Sequence, residues 1–230
     1  MRRPRQKAAA GTVGKYLLEL RSRRLKASTI RRRAVAIGQV HEAKGHENPT
    51  KHRYVEDIVR NVHTEQHYEP EQKKPVLPDD LQLMLENLED DCEARVLRDR
   101  AVLLLAWATG FRRSELASLT AGDVEWTAHG FVARLRRINR YQQTQPAVRR
   151  VAYSDDELLC PAHTLRAWLD YACITGGPLF LRIDRWGNIW TSSGLTGKSL
   201  TRIVKNAAAA AGFDPADYST QSFRVSPDSE

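Results

Sequence analysis

Apolar residues recur at helical spacing over most of the chain and give way to alternation in one stretch near its middle. Thr12 to Leu20 is a short amphipathic segment. A second helix is predicted from Ser28, read as its N-cap, toward a stop at Gly45, with Ile30, Ala34, Ile37 and Val40 on one face. A third, roughly Tyr54 to Gln66, aligns Val55, Ile58, Val59 and Val62. Tyr68 to Pro78 then carries three prolines in eleven residues without periodicity, which predicts a linker. Beyond it, Asp79 or Asp80 is expected to cap a helix bearing Leu81, Met84, Leu85 and Leu88. The most apolar run, Ala101 to Ala108, is long enough for a buried helix and halts at Gly110, a natural left-handed stop. Helical spacing resumes at once through Glu115, Leu116 and Leu119. Phe131, Ala133 and Leu135 then alternate with Val132, Arg134 and Arg136, as in a strand, and Val148 to Tyr153 is a second candidate, with Asn139 to Pro146 as the hairpin loop. Leu159 to Ala172, with Leu165, Trp168 and Leu169 on one side, and Leu200 to Gly212, with its alanine run, complete the predicted helices.

Composition changes the picture mainly through charge. The 230 residues are 41% hydrophobic with a net charge of +8, enough for two modest domains. Residues 1–75 hold 18 Lys and Arg against 8 Asp and Glu, a balance of +10, whereas residues 76–230 hold 18 against 20, or −2. A basic N-terminal segment points to a polyanion such as double-stranded DNA, since each neutralised phosphate releases counterions. A solvated charged face with a disordered tail over residues 1–11 accounts for part of the same excess. In the second helix, Arg31, Arg32 and Arg33, with Lys26, Ser28 and Thr29 beside them, face away from the apolar stripe and are candidate DNA contacts. No apolar run approaches the ~20 residues of a membrane helix, so no membrane partner and a cytoplasmic location are expected. Cys92, Cys160 and Cys173 lack C-x-x-C spacing and are expected to be buried thiols rather than a disulfide framework. His63 and His67 can share a helix face but have no convincing further ligand, so no metal is expected.

Arg112 and Arg113 sit at the bend after Gly110. A guanidinium held there, rigid and partly desolvated, could grip a phosphate through two parallel hydrogen bonds. The residues alone leave open whether Arg112 is instead a surface arginine after a helix stop.

Thr109 to Leu116, T-G-F-R-R-S-E-L, resembles the first arginine box of the tyrosine recombinases, the phage-integrase and Cre-like family. The resemblance puts Arg112 at the first catalytic arginine and Glu115 at its acidic support. K-A-S-T-I-R-R-R and the residues after it are similar to the family's SAM-like core-binding domain. L-C-P-A-H-T-L-R-A-W-L resembles the C-P-x-x-x-L-x-x-W-L segment of bacterial integrases, which makes His163 a first-turn surface residue. Tyr218 to Arg224, Y-S-T-Q-S-F-R, resembles the second catalytic box, with Arg224 as its arginine.

The departures matter as much. Gln221 stands where the family has a histidine, and an amide does not shuttle protons near neutral pH. The family's hairpin lysine is matched by Asn139, with Arg140 beside it, and arginine is too basic to serve as a proton donor. The later histidine or tryptophan position and the nucleophilic tyrosine are expected beyond residue 224 and find no match in V-S-P-D-S-E. The family's chemistry, attack of a tyrosine hydroxyl on a DNA phosphodiester, uses neither metal nor ATP, so no cofactor is implied.

The expected fold is mainly α: a helical core-binding domain over residues 12–68, a linker over 69–78, and over 79–230 an α+β catalytic domain, truncated at its C-terminus by a frameshift or early stop, with helices around a small antiparallel sheet. Missing C-terminal helices would then expose part of the Ala101 to Ala108 helix. The expected role is DNA binding in site-specific recombination and integration with incomplete strand cleavage. Arg112, Arg113, Arg140 and Arg224 would meet phosphate, and a second copy or an intact recombinase would be a partner on DNA. A non-catalytic DNA-site-binding regulator and a decayed integrase remnant are the alternatives.

Overall fold

The computed structural model describes residues 8–65, 72–135 and 147–224. The chain divides into two compact units, residues 1–71 and 72–230. Their architecture is mainly helical, with small antiparallel sheets in the second unit.

The first unit holds α1 (Ala10–Ser22), α2 (Ala27–Glu42), a 3-10 turn (Pro49–Lys51) and α3 (Arg53–Glu65). Val13, Leu17, Leu20, Ile30, Ala34, Val55, Ile58 and Val62 form its core. Residues 10 and 11, expected in a disordered tail, form the first turn of α1. The α2 helix also starts earlier than expected. Ala27 is buried and Lys26 is the N-cap, which leaves Ser28 exposed within the first turn. Its helical segment ends at Glu42, and the expected stop at Gly45 is the left-handed residue of a closing turn. There the His46 N–H donates to the His41 carbonyl and the Gly45 N–H to that of Glu42. The buried face of α2 is Ala27, Ile30, Ala34 and Gly38, so Val40, expected inside, is 53% exposed. Gly38 sets this rotation: a Cβ there would lie 2.6 Å from the Asn48 amide nitrogen.

The second unit is assembled around α5 (Glu93–Thr109). Around it lie α4 (Pro78–Glu86), α6 (Arg113–Ser118), α7 (Pro161–Tyr171), α8 (Gly197–Ala210) and a closing 3-10 turn (Ser222–Arg224). Strands β1 (Val124–Thr127), β2 (Gly130–Arg134) and β3 (Val148–Ala152) pair antiparallel in that order, with Ala133 opposite both Val124 and Arg149. A separate hairpin joins β4 (Leu181–Ile183) to β5 (Ile189–Gly194). Strands β1, β4 and β5 were not expected from the sequence. β1 and β4 are only four and three residues long, and β5 shows little alternation.

Residues Ala101 through Ala106 of α5 are each at most 1% exposed, covered by residues of this chain. The expected exposure is confined to the end of the Ala101 to Ala108 stretch, where Trp107 is 37% exposed and Ala108 is half-buried. The predicted linker also needs correction. Val76 is buried, its N–H donates to the Ser222 carbonyl at 2.9 Å, and the Lys74 N–H donates to the Asp217 carbonyl at 3.0 Å. Residues 72–77 thus belong to the second unit, and Pro78 opens α4. Asp80 caps α4 from its third position by accepting the Leu77 N–H. Of the thiols, Cys160, the N-cap of α7, is fully buried, Cys92, the N-cap of α5, is half-buried, and Cys173 is exposed. Among the described residues no helix is long and apolar enough to cross a membrane, and no group of three potential metal ligands occurs. His67 lies outside the described residues.

Candidate functional site

The end of α5 forms the first wall of the site. Buried Thr109 donates its hydroxyl to the Leu105 carbonyl at 2.6 Å, and Gly110 adopts φ +60°, ψ +20° while its N–H closes on Ala106. That left-handed step turns Phe111 into the core, where it is 2% exposed. Arg112 consequently points outward. It is the N-cap of α6, and Glu115, at the third helical position, accepts from the Arg112 backbone N–H at 2.6 Å and from its Nη1 at 3.1 Å. The Arg112 side chain is 63% exposed, so the expected partial desolvation does not hold. Its order comes from Glu115, itself 22% exposed, and not from burial. Arg113 is exposed, and its stem lies along the start of α8, where a Cβ on Gly197 would stand 3.3 Å from the Arg113 Cγ.

The second wall is the turn from Tyr218 to Arg224. Tyr218, Thr220, Ser222 and Phe223 are buried, which directs Gln221 and Arg224 to the surface. The Ser222 hydroxyl accepts the Ser219 N–H at 3.0 Å, and the Arg224 N–H donates to the Gln221 carbonyl at 3.0 Å. Segment 74–76 straps this turn from outside through the backbone bonds given above, reinforced by a 2.5 Å ion pair between Lys74 and Asp217. Asp217 raises the pKa of Lys74, and burial raises that of the Tyr218 hydroxyl.

The two walls meet. A Cβ built on Gly110 would lie 3.8 Å from the Phe223 carbonyl oxygen, so the backbone two residues before Arg112 touches the backbone one residue before Arg224. The turns that carry Arg112 and Arg224 are therefore neighbours through their backbones. Asn139 and Arg140 lie outside the described residues. Lys26, Ser28, Thr29 and Arg31 to Arg33 lie on the first unit, on or beside the start of α2. All are exposed except half-buried Thr29, and Arg33 donates to the Tyr16 hydroxyl at 2.7 Å.

Sequence reasoning missed Arg149. From β3 its Nε donates to the Thr109 carbonyl at 3.1 Å and its Nη1 to the Val148 carbonyl at 3.1 Å. The available signal was alternation: Arg149 shares the face of Val151, which is buried toward α5. Exposed guanidiniums on adjoining turns suit a tetrahedral oxyanion. Gln221 supplies an amide beside them and no proton-transfer group.

No family profile matches the chain. It is 30% identical over 220 residues to an integrase/recombinase xerD homolog of Selenomonas ruminantium, covering 94% of this chain and 64% of that protein. The chain thus spans less than two thirds of that relative's length. Among solved structures, its fold is similar to XerH site-specific recombinase bound to palindromic difH substrate, with a TM-score of 0.61, 15% identity, and coverage of 97% of this chain and 61% of the other. The Tn1549 transposon integrase in complex with transposon right end DNA gives a TM-score of 0.61 at 15% identity, covering 96% and 71%. A lambda integrase dimer bound to a core site gives 0.52 at 14% identity, covering 96% and 56%.

Proposed function

We propose that the chain is a member of the tyrosine recombinase family, that it recognises duplex DNA at a recombination site and that it holds a backbone phosphate between Arg112 and Arg224. The observation that carries this reading is the contact of the two arginine-bearing turns at Gly110 and Phe223. Two exposed guanidiniums on adjoining backbones can share one phosphate, whereas neither turn alone forms a two-sided grip. Lys26, Ser28, Thr29 and Arg31 to Arg33 add non-specific affinity from the first unit, with Arg113 and Arg140 as further phosphate contacts. The structures most informative for fold are recombinases with DNA, one of them as a dimer, and a second copy or an intact relative on the same DNA is part of the proposal.

These 230 residues are proposed to bind without efficient strand cleavage. Gln221 cannot exchange a proton at the histidine position, and Arg140 beside the lysine position stays charged. Loss of a general acid or base typically costs about 100- to 10,000-fold in rate. A role as a DNA-site-binding regulator follows from the same residues.

The test is selection of random duplexes by the purified chain at moderate salt, followed by sequencing. Enriched half-sites are expected, and Arg112→Ala or Arg224→Ala should each reduce the slope of log affinity against log salt by about 0.9. Incubation with the enriched duplex should leave no covalent protein–DNA adduct. Uniform binding with slopes unchanged in both variants would sink the recognition reading, and a stable adduct would sink the non-cleaving one.

A further inference from the structure

We infer that Arg149 is a third phosphate-binding group of this site, delivered by β3 and tied to the end of α5. The inference rests on the phosphate-grip reading above and extends it to a residue outside both arginine boxes. Strand register sets the direction of the side chain. Arg149 pairs with Ala133 and shares a face with Val151, and Ala133 is small and fully buried, so the Arg149 stem crosses toward α5 without a clash.

Its guanidinium is then held by two carbonyls, Thr109 and its own neighbour Val148. An arginine has five N–H donors, so this tether leaves donors to spare. Among the described residues, no carboxylate is paired with it. The Thr109 carbonyl belongs to the last residue of α5, where the helix dipole favours a cation. Thr109 directly precedes Gly110, the point at which the two walls meet. The charge is thus fixed beside the junction and, among the described residues, not neutralised by a carboxylate, whereas the Arg112 charge is partly offset by Glu115. A phosphodiester oxygen is the matching ligand: it is anionic, accepts several hydrogen bonds and can use the spare donors without breaking the tether.

A purely structural role, closing the C-terminal end of α5, predicts a different outcome, and salt dependence separates the two. With the full chain and the duplex enriched in the selection, Arg149→Gln should reduce the salt slope by about 0.9, while Arg149→Lys, which keeps the charge, should retain the slope despite a lower melting temperature. A lower melting temperature with an unchanged slope in Arg149→Gln would overturn the inference. Should that variant fail to fold, the unmutated protein supplies the reading: an arginine-specific dicarbonyl reagent, mapped by peptide mass, should modify Arg149 less when duplex is bound. Equal modification with and without duplex would overturn the inference. Arg185, exposed on the β4–β5 turn, serves as the unprotected control. If the unmutated chain shows no salt-dependent duplex binding, the proposed function falls and this inference with it. If Arg112→Ala reduces the slope and Arg149→Gln does not, this inference alone falls.

Discussion

The two arginine-bearing turns reach the same result by different means. In each, a buried phenylalanine directly precedes an exposed arginine, Phe111 before Arg112 and Phe223 before Arg224, so the anchor in the core aims the cation outward. At the first turn the anchor is continuous with α5, whose Ala101 to Ala106 stretch is sealed from solvent, and Gly110 makes the bend within a few residues. The second turn has no such helix before it. It is held by hydrogen bonds from segment 74–76, about 140 positions earlier in the chain. Local geometry fixes one arginine and a long-range strap fixes the other. The first should therefore yield only with the whole unit, while the second can open by itself.

The largest expected effect tests that division directly. Phe111→Ala should lower the unfolding free energy of the second unit by about 3–5 kcal/mol, the usual cost of emptying a buried aromatic site. Phe223→Ala should instead show up mainly as faster amide exchange at Val76, whose N–H bonds to Ser222, with a smaller drop in global stability. Equal global losses, measured by denaturant unfolding of both variants, would mean that the two turns belong to one cooperative unit and that the contrast is wrong.

Next in size is Gly110→Ala. A Cβ at this position would meet the Phe223 carbonyl oxygen at an ordinary 3.8 Å, so the cost is conformational and not steric. Holding an L-residue at φ +60° should cost about 1–2 kcal/mol. Gly110→Asn should cost less, because asparagine tolerates the left-handed region. Thermal unfolding of the two variants checks the order, and a larger loss in Gly110→Asn would indicate crowding by the second turn.

The same contrast explains what was legible in the sequence. Gly110 after an apolar run is a local signal, and the bend and its buried helix could be anticipated from it. The support of Arg112 by Glu115 was legible only through the resemblance, and the exposure of Arg112 was not legible, because burial at a bend depends on whether Phe111 or Arg112 faces the core. The strap was misread as linker, since Pro75 and Pro78 look the same in a free connection and in a segment bound to a distant turn. Arg149 needed the strand register, and the α2 face was misjudged because Gly38, without a side chain, carries no hydrophobic signal. The position of Gln221 was legible by resemblance, whereas its surface setting depends on the buried pattern of Tyr218, Thr220 and Ser222.

The smallest expected effect is alkaline loosening confined to the second turn. The Lys74 ammonium is stabilised by hydrogen bonding and charge attraction to Asp217, with Asp214 and the Tyr218 hydroxyl as weaker neighbours, and its pKa lies above the ordinary 10.5. Burial, together with the charge of Asp80, lifts the Tyr218 hydroxyl above its ordinary 10.0. Both groups hold their protons more tightly in the folded chain. Their stabilising contribution is therefore fully present below the ordinary values and is lost as pH rises through the folded ones. Melting temperatures should place Lys74→Gln below the unmutated chain at about pH 9, with the gap closing only as pH rises beyond the ordinary 10.5 and through the higher folded value, where the lysine of the unmutated chain loses its charge. Tyr218→Phe should remove the part of the alkaline loss that belongs to the buried hydroxyl. A gap between Lys74→Gln and the unmutated chain that stays constant across this range would mean that the pair does not fasten the strap, leaving the backbone bonds of Lys74 and Val76 to hold the second arginine in place.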